Sequence, residues 1–150
     1  MRRKHTTYSL LFTALVAITV GGCRPPTGPN LIDEDAPTEF TTTSSGLKYR
    51  ILRKSSNPKP VPSNRIEVDY RGWLDNGRTF DNSYNRSSPT TFSLNQVIPA
   101  WTEGLQLVGE GGMIELEVPS NLGYGEKGNP PTIPPNATLH FKVELLRIIN

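Results

Sequence analysis

The run Arg65-Ile66-Glu67-Val68-Asp69-Tyr70-Arg71-Gly72-Trp73-Leu74-Asp75-Asn76-Gly77-Arg78-Thr79-Phe80-Asp81 reads as a β-hairpin. Ile66, Val68, Tyr70 and Gly72 fall at every second position, so an extended strand turns them to one side. Asp75-Asn76-Gly77 supplies the turn, because Asn and Gly tolerate the positive φ that tight hairpin turns demand. Arg78 to Asp81 is then the returning strand.

The pattern continues outward from this hairpin. Upstream, Leu47 to Lys54 sets Leu47, Tyr49 and Ile51 against Lys48, Arg50 and Leu52, a strand with one wet face. Asn57 to Ser63 is punctuated by proline and reads as a loop. Downstream, Asn82 to Thr90 is polar and loop-like, and Thr91 to Leu94 extends the sheet briefly. Pro99 suits the first turn of a helix, where its missing N–H costs nothing. Ala100, Trp101, Leu105 and Val108 follow at near-helical spacing, and Gly109 with Gly111-Gly112 stops the run. Met113 to Val118 alternates again, with Met113, Glu115 and Glu117 against Ile114, Leu116 and Val118. Asn121 to Asn136 is a long Gly- and Pro-rich loop, and loops of that length in small domains tend to be functional. Thr138 to Ile149 closes the chain with Leu139, Phe141, Val143 and Leu145 on one side. Several antiparallel strands and one short helix make an α+β pattern. No internal repeat is visible.

The first residues are a different kind of sequence. Arg2, Arg3 and Lys4 precede an apolar run from Leu10 to Val20, and small residues lead to Cys23. These are the parts of a secretory signal segment over residues 1–22. The apolar run falls short of the roughly 20 residues that a membrane-spanning helix needs. Val20-Gly21-Gly22-Cys23 resembles the bacterial lipobox, in which the cysteine is diacylated and becomes the new N-terminus. The alternative is an ordinary signal peptide that happens to end near a cysteine. Two or more acyl chains suffice for stable attachment to a membrane. Arg24 replaces the aspartate that in some Gram-negative bacteria retains a lipoprotein at the inner membrane, which points to an extracytoplasmic protein on the outer membrane. With Cys23 acylated, the chain has no thiol left for a disulfide, so packing must hold the domain. Residues 23–45 hold Pro25, Pro26, Pro29, Pro37, the acidic run Asp33-Glu34-Asp35 and Thr41-Thr42-Thr43-Ser44-Ser45, and read as a flexible tether. The folded domain is expected over residues 46–150.

Charge excludes one class of partner. The chain has 16 basic and 14 acidic residues. Without Arg2, Arg3 and Lys4, 13 basic residues face the same 14 acidic ones, leaving a net charge of −1. A nucleic-acid binder needs a clustered basic face, and none is visible. Metal chemistry is equally poorly supplied. His5 lies in the signal segment, and His140 stands next to inward-reading Phe141 and so points outward. One histidine and no free thiol do not make a zinc site. The glycines at 109–112 end a helix, which is the wrong end for a phosphate.

Five phrases carry a resemblance. They are Val68-Asp69-Tyr70-Arg71-Gly72, Thr79-Phe80-Asp81-Asn82-Ser83, Gln96-Val97-Ile98-Pro99-Ala100-Trp101, Leu122-Gly123-Tyr124-Gly125 and Ile133-Pro134-Pro135-Asn136-Ala137-Thr138-Leu139. In this order and spacing, the stretch from Gly46 to Ile149 resembles the FKBP-type peptidyl-prolyl isomerases. The resemblance implies a twisted antiparallel β-sheet wrapped around one short α-helix. It implies an enzyme without metal or cofactor, acting on proline-containing polypeptides. Carried over, Trp101 is the pocket floor, with Tyr70, Phe80 and Phe141 as walls. Val97 and Ile98 border the mouth, and the Ile98 N–H is a donor to a substrate carbonyl. Tyr124 donates its hydroxyl to the bound peptide, Asp81 sits at the edge oriented by Arg86, and Ile133 covers the ring.

Taken singly, Tyr70, Phe80 or Phe141 reads as core and Asp81 as a turn former; only the joint pattern makes a site. The chain also departs from the family. Thr90 stands where an aromatic wall residue is usual, with Phe92 as its substitute. Asn129 and Thr132 replace a histidine and an apolar residue found in some members, and Ala100 replaces a glycine. Long family members dimerise through added N-terminal helices; residues 24–45 are not such a helix, so a monomer is expected. The alternative to an isomerase is a lipid-anchored chaperone module that binds proline peptides without catalysis.

Overall fold

The computed structural model describes Gly28 and residues 31–149. The expected signal segment, Cys23 and the first part of the tether lie outside the described residues.

Seven strands form one antiparallel sheet: β1 (Thr41–Thr42), β2 (Lys48–Arg53), β3 (Arg65–Leu74), β4 (Thr79–Asn82), β5 (Thr90–Ser93), β6 (Met113–Val118) and β7 (Leu139–Ile149). Their order across the sheet is β1-β2-β6-β7-β3-β4, and β5 pairs with the first half of β3 on the same edge as β4. The one α-helix, α1 (Pro99–Gly104), carries Pro99 in its first turn and runs on into a 3-10 turn over Leu105–Leu107. The α+β reading therefore holds.

The β3–β4 hairpin forms where the sequence places it. Leu74 and Arg78 bond across the turn, and Gly77 adopts φ +80°, a left-handed conformation that glycine takes without strain. β3 buries Ile66, Val68, Tyr70, Gly72 and Leu74 on the side facing α1. β6 adds Ile114, Leu116 and Val118 and β7 adds Leu139, Phe141, Val143 and Leu145, each at alternate positions. Trp101 and Leu105 from the helical segment close the core from above. Non-polar burial on this one face holds the sheet together.

Two residues depart from simple alternation. Leu52, expected on the wet face of β2, is buried. A bulge between Ile51 and Arg53 leaves Leu52 without a partner on β6, since Ile51 pairs with Ile114 and Arg53 with Met113. An extra residue in one strand shifts the side-chain parity after it. Met113, expected with the outward set, is also buried, in a row with Arg53 and Glu144.

The largest difference concerns the tether. Within the described residues it does not run free to Ser45. The Asp33 N–H donates to the Leu52 carbonyl at 2.8 Å, and the Lys54 N–H donates to the Asp33 carboxylate at 2.7 Å. Arg50 donates to the Thr38 carbonyl at 2.7 Å and lies over the Phe40 ring. Arg53 donates to the Leu31 carbonyl at 3.1 Å. Residues 31–43 thus form a strap along β2, ending in β1. Polar composition predicts no core for such a segment, but backbone groups need only hydrogen-bond partners, and β2 supplies them.

Candidate active site

The core side of the sheet opens into a cavity of about 620 Å³ between β3, β4, the start of α1 and the long loop before β7. That size accommodates a few residues of a peptide. Its base is an aromatic cluster centred on Trp101, fixed in the first turns of α1. The Trp101 ring meets Tyr70 at 5.0 Å, Phe141 at 5.4 Å and Phe92 at 5.5 Å, each nearly edge to face. Phe80 meets Phe141 at 5.5 Å in the same manner. Edge-to-face contacts place the positive ring edge on a negative face, so each ring orients its neighbour. The Trp101 indole N–H is buried without a hydrogen-bond partner among the described residues.

Asp81 on β4 accepts hydrogen bonds from three groups. Its Oδ2 takes the Tyr70 hydroxyl; its Oδ1 takes the Arg86 guanidinium and, at 2.8 Å, the Asn82 N–H. Arg86 also donates to the Thr90 hydroxyl at 2.9 Å. Burial, and after it the bond to Asp81, pushes the Tyr70 phenol up to about 12. Tyr70 is therefore a neutral donor, locked onto Asp81, with its ring presented to the cavity. The same tyrosine hydroxyl is the leading reason that Arg86 is raised above its ordinary value. Arg86 does not line the cavity; it acts on Asp81 from outside.

The mouth is built by two segments. Val97 and Ile98 precede α1 and line one side. Tyr124 and Ile133 come from the long loop opposite, which is organised by 3-10 turns at Ser120–Leu122 and Gly125–Lys127 and a bridge between Asn129 and Ile133. Ile133 is buried at 3% exposure, whereas Tyr124 is 40% exposed. Among the described residues the Tyr124 hydroxyl has no partner, so it is free to bond to whatever enters.

The cavity therefore brings together Tyr70, Phe80, Asp81, Phe92, Val97, Ile98, Trp101, Tyr124, Ile133 and Phe141. Phe92 packs on both Tyr70 and Trp101, beside the position where Thr90 lacks a ring. Three polar residues complete the rim: Gln96, Asn129 and Thr132. The last two stood out in the sequence as departures from the family, but Gln96 did not. Its only signal was its place immediately before Val97 and Ile98. Among the described residues no three His, Cys, Asp or Glu side chains gather closely enough to hold a metal ion. The arrangement is an apolar, aromatic bowl with a few fixed polar groups at its edge.

Comparison with known proteins agrees with this geometry. A family model described as FKBP-type peptidyl-prolyl cis-trans isomerase matches residues 56–146. The FKBP-type peptidyl-prolyl cis-trans isomerase FkpA of Escherichia coli K12 is 47% identical over 107 residues, which cover 71% of this chain and 39% of that protein. The crystal structure of FkpA from Escherichia coli superposes with a TM-score of 0.72 and 45% identity, over 75% of this chain and 52% of that one. A peptidyl-prolyl cis-trans isomerase from Pseudomonas syringae pv. tomato superposes with a TM-score of 0.70 and 32% identity, over 76% of this chain and 84% of its own. The chain spans about two fifths of the length of the FkpA relative. Matched through its hairpin, its helix and the loop that carries Tyr124, the chain belongs to the FKBP-type peptidyl-prolyl cis-trans isomerase family.

Proposed function

We propose that the protein is a peptidyl-prolyl cis-trans isomerase whose catalytic groups are Tyr70, Phe80, Asp81, Tyr124 and Phe141. Val97, Ile98, Trp101, Ile133 and Phe92 bind the substrate, and Arg86 holds Asp81. The observation that carries this reading is the Trp101-centred aromatic bowl, with a Tyr124 hydroxyl at its mouth that has no partner among the described residues.

Rotation about an X-Pro bond is slow because the C–N bond has partial double-bond character, giving a barrier of about 18–20 kcal/mol. The cis and trans ends differ by only about 0.5–1 kcal/mol, so catalysis is a matter of the barrier alone. The planar amide is the more dipolar form and loses more on leaving water. A dry ring-lined bowl therefore favours the twisted form over either planar one, which is differential binding of the transition state. The proline ring rests on Trp101, and the Ile98 N–H and the Tyr124 hydroxyl hold the flanking carbonyls. Asp81, already bonded to Tyr70 and Arg86, supplies a fixed negative edge instead of a mobile proton.

The proposal extends to the rest of the chain. Residues 1–22 are read as a lipoprotein signal segment and Cys23 as the acylated anchor, so the substrates are exported proteins. The isomerase domain over residues 46–150 acts as a monomer at an extracytoplasmic membrane face. Exchange spectroscopy on a short X-Pro peptide tests the activity. Acceleration that is roughly tenfold weaker in Phe80→Ala and in Tyr124→Phe, each an effect of about 1.4 kcal/mol on the barrier, is the expected outcome. Peptide binding with no acceleration would transfer the protein to the chaperone class.

A further inference from the structure

We infer that the sheet face opposite the cavity docks on an anionic lipid membrane, so that the cavity opens away from the bilayer. The inference rests on the acylation proposed for Cys23.

Directly paired residues on neighbouring strands share a face of the sheet. One such row on the outer face is Arg50–Glu115–Lys142–Arg71–Asn82. The next is Lys48–Glu117–His140–Trp73–Thr79. The acids of these two rows and of the adjoining turn are ion-paired, while Asp69, one row further on, accepts from the Ser83 hydroxyl at 2.8 Å. Glu115 holds Arg50 at 2.8 Å, Glu117 holds Lys48 at 2.7 Å, and Asp75 holds His140 at 2.7 Å. Arg71 and Lys142 are left opposite each other with no carboxylate partner for either among the described residues. Like charges directly opposed across a sheet are unfavourable. A groove of about 470 Å³ lies at this pair, with Trp73 and Tyr84 on its walls. The Arg71 guanidinium lies 5.2 Å over the Trp73 ring, which is half-buried and stacks on His140. Cations beside a half-buried indole suit a headgroup layer.

The path of the chain selects a membrane as the occupant. Glu144 stands two residues from Lys142 on β7, on the same face, about 7 Å away. It is fully buried and receives Arg53 at 2.5 Å, Tyr84 at 3.2 Å and the Gly28 N–H at 3.1 Å. The described chain therefore begins on the outer face, not at the cavity. Cys23 precedes Gly28 by five residues, which reach at most about 18 Å when fully extended. An acyl anchor there keeps this face close to the headgroups, within about two Debye lengths. The strap carries exposed Glu34 and Glu39 along β2, two strands from Lys142 and three from Arg71. Each cation near an anionic surface adds about a fivefold bias.

The two tryptophans make the orientation measurable, since Trp73 lies on the outer face and Trp101 in the cavity. The chain from Cys23 onward is coupled through its single cysteine to a maleimide lipid, in vesicles of phosphatidylcholine with or without phosphatidylglycerol. Lipids with nitroxide headgroups quench whichever indole faces the bilayer, and Trp73→Phe isolates the Trp101 signal. The expected result is strong quenching of Trp73 and little of Trp101, only when phosphatidylglycerol is present. Arg71→Ala with Lys142→Ala should return Trp73 to its level in neutral vesicles, while isomerisation of a short peptide stays unchanged and shows the variant folded. Equal quenching of both indoles, no dependence on phosphatidylglycerol, or no effect of the double variant would each overturn the proposal. So would binding of the uncoupled chain to polyglutamate without any vesicle bias, which would make the face an acidic-polypeptide site. Mass spectrometry of Cys23 from cell-made protein tests the acylation separately, because maleimide coupling does not depend on it.

Discussion

A methyl group at Gly72 would lie 2.6 Å from two Phe80 ring atoms and 2.9 Å from Phe141. The edge-to-face pair that forms one wall of the cavity therefore needs a β3 residue without a side chain at that point. Gly72→Ala should push both rings off their positions, lower isomerisation more than tenfold and cost about 1–3 kcal/mol of stability, read by urea unfolding. Tyr70 gives a second prediction at this scale. Its phenol is pushed up to about 12 in the folded state, against about 10 when unfolded. The folded protein thus keeps a proton that the unfolded chain gives up. Stability from Tyr70 is complete below about pH 10 and is lost as pH rises through about 12. Tyr70→Phe should be the less stable protein near neutrality, and its deficit should shrink over that window; a constant deficit would remove Tyr70 as the titrating group. Burial pushes the Tyr84 phenol up as well, so a Tyr84→Phe control separates the two. The sequence made the aromatic residues legible as a set, because the spacing of five phrases fixed their order. It did not make the Tyr70–Asp81–Arg86 chain of bonds legible in full, since a contact between strands depends on register as well as spacing. Gln96 was missed for the same reason: nothing in a lone glutamine says which way a turn will aim it.

At the scale of elements, period-two alternation located β2, β3, β6 and β7 because each has one apolar face. It failed where that condition failed. The bulge at Leu52 breaks the period, and Met113 is buried on the outer face beside Glu144. The strap was illegible because its cohesion lies in backbone bonds to β2 and in Arg50, Arg53 and Lys54, none of which changes its proline- and threonine-rich composition. The buried Glu144 shows how far strap and sheet depend on each other. Arg53 donates to Glu144, to the Leu31 carbonyl and, at 2.9 Å, to the Gly111 carbonyl. Arg53→Ala leaves a buried carboxylate without its cation and should cost about 3–5 kcal/mol. In a chain that begins at Gly46 the strap is absent and water reaches Glu144, so the same substitution should cost much less. The difference between the two costs, from a double-mutant cycle in urea, measures the coupling between strap and sheet. Equal costs would mean that the strap over residues 31–43 lies against the sheet without stabilising it.

Across the whole molecule the sheet separates two kinds of surface, and β3 contributes to both. Tyr70 and Gly72 turn toward the rings of the cavity, while Arg71 and Trp73 turn toward the charged rows behind. The core layer of Val68, Leu116, Val143 and Leu145 is fully buried and carries no charge, and the charges of the outer rows reach water, which screens them. Substitutions on the two faces should therefore act independently. Lys142→Ala should leave isomerisation of a short peptide within about twofold of the parent, Phe80→Ala should lower it roughly tenfold, and the pair should multiply, as distant sites do. Added salt should leave the short-peptide rate nearly unchanged, because the bowl is apolar and Asp81 is already paired with Arg86, whereas it should weaken any attraction between the outer face and anionic vesicles. A peptide rate that fell steeply with salt, or that changed with Lys142, would show that the outer charges reach the cavity, and the separation of chemistry from attachment would have to be given up.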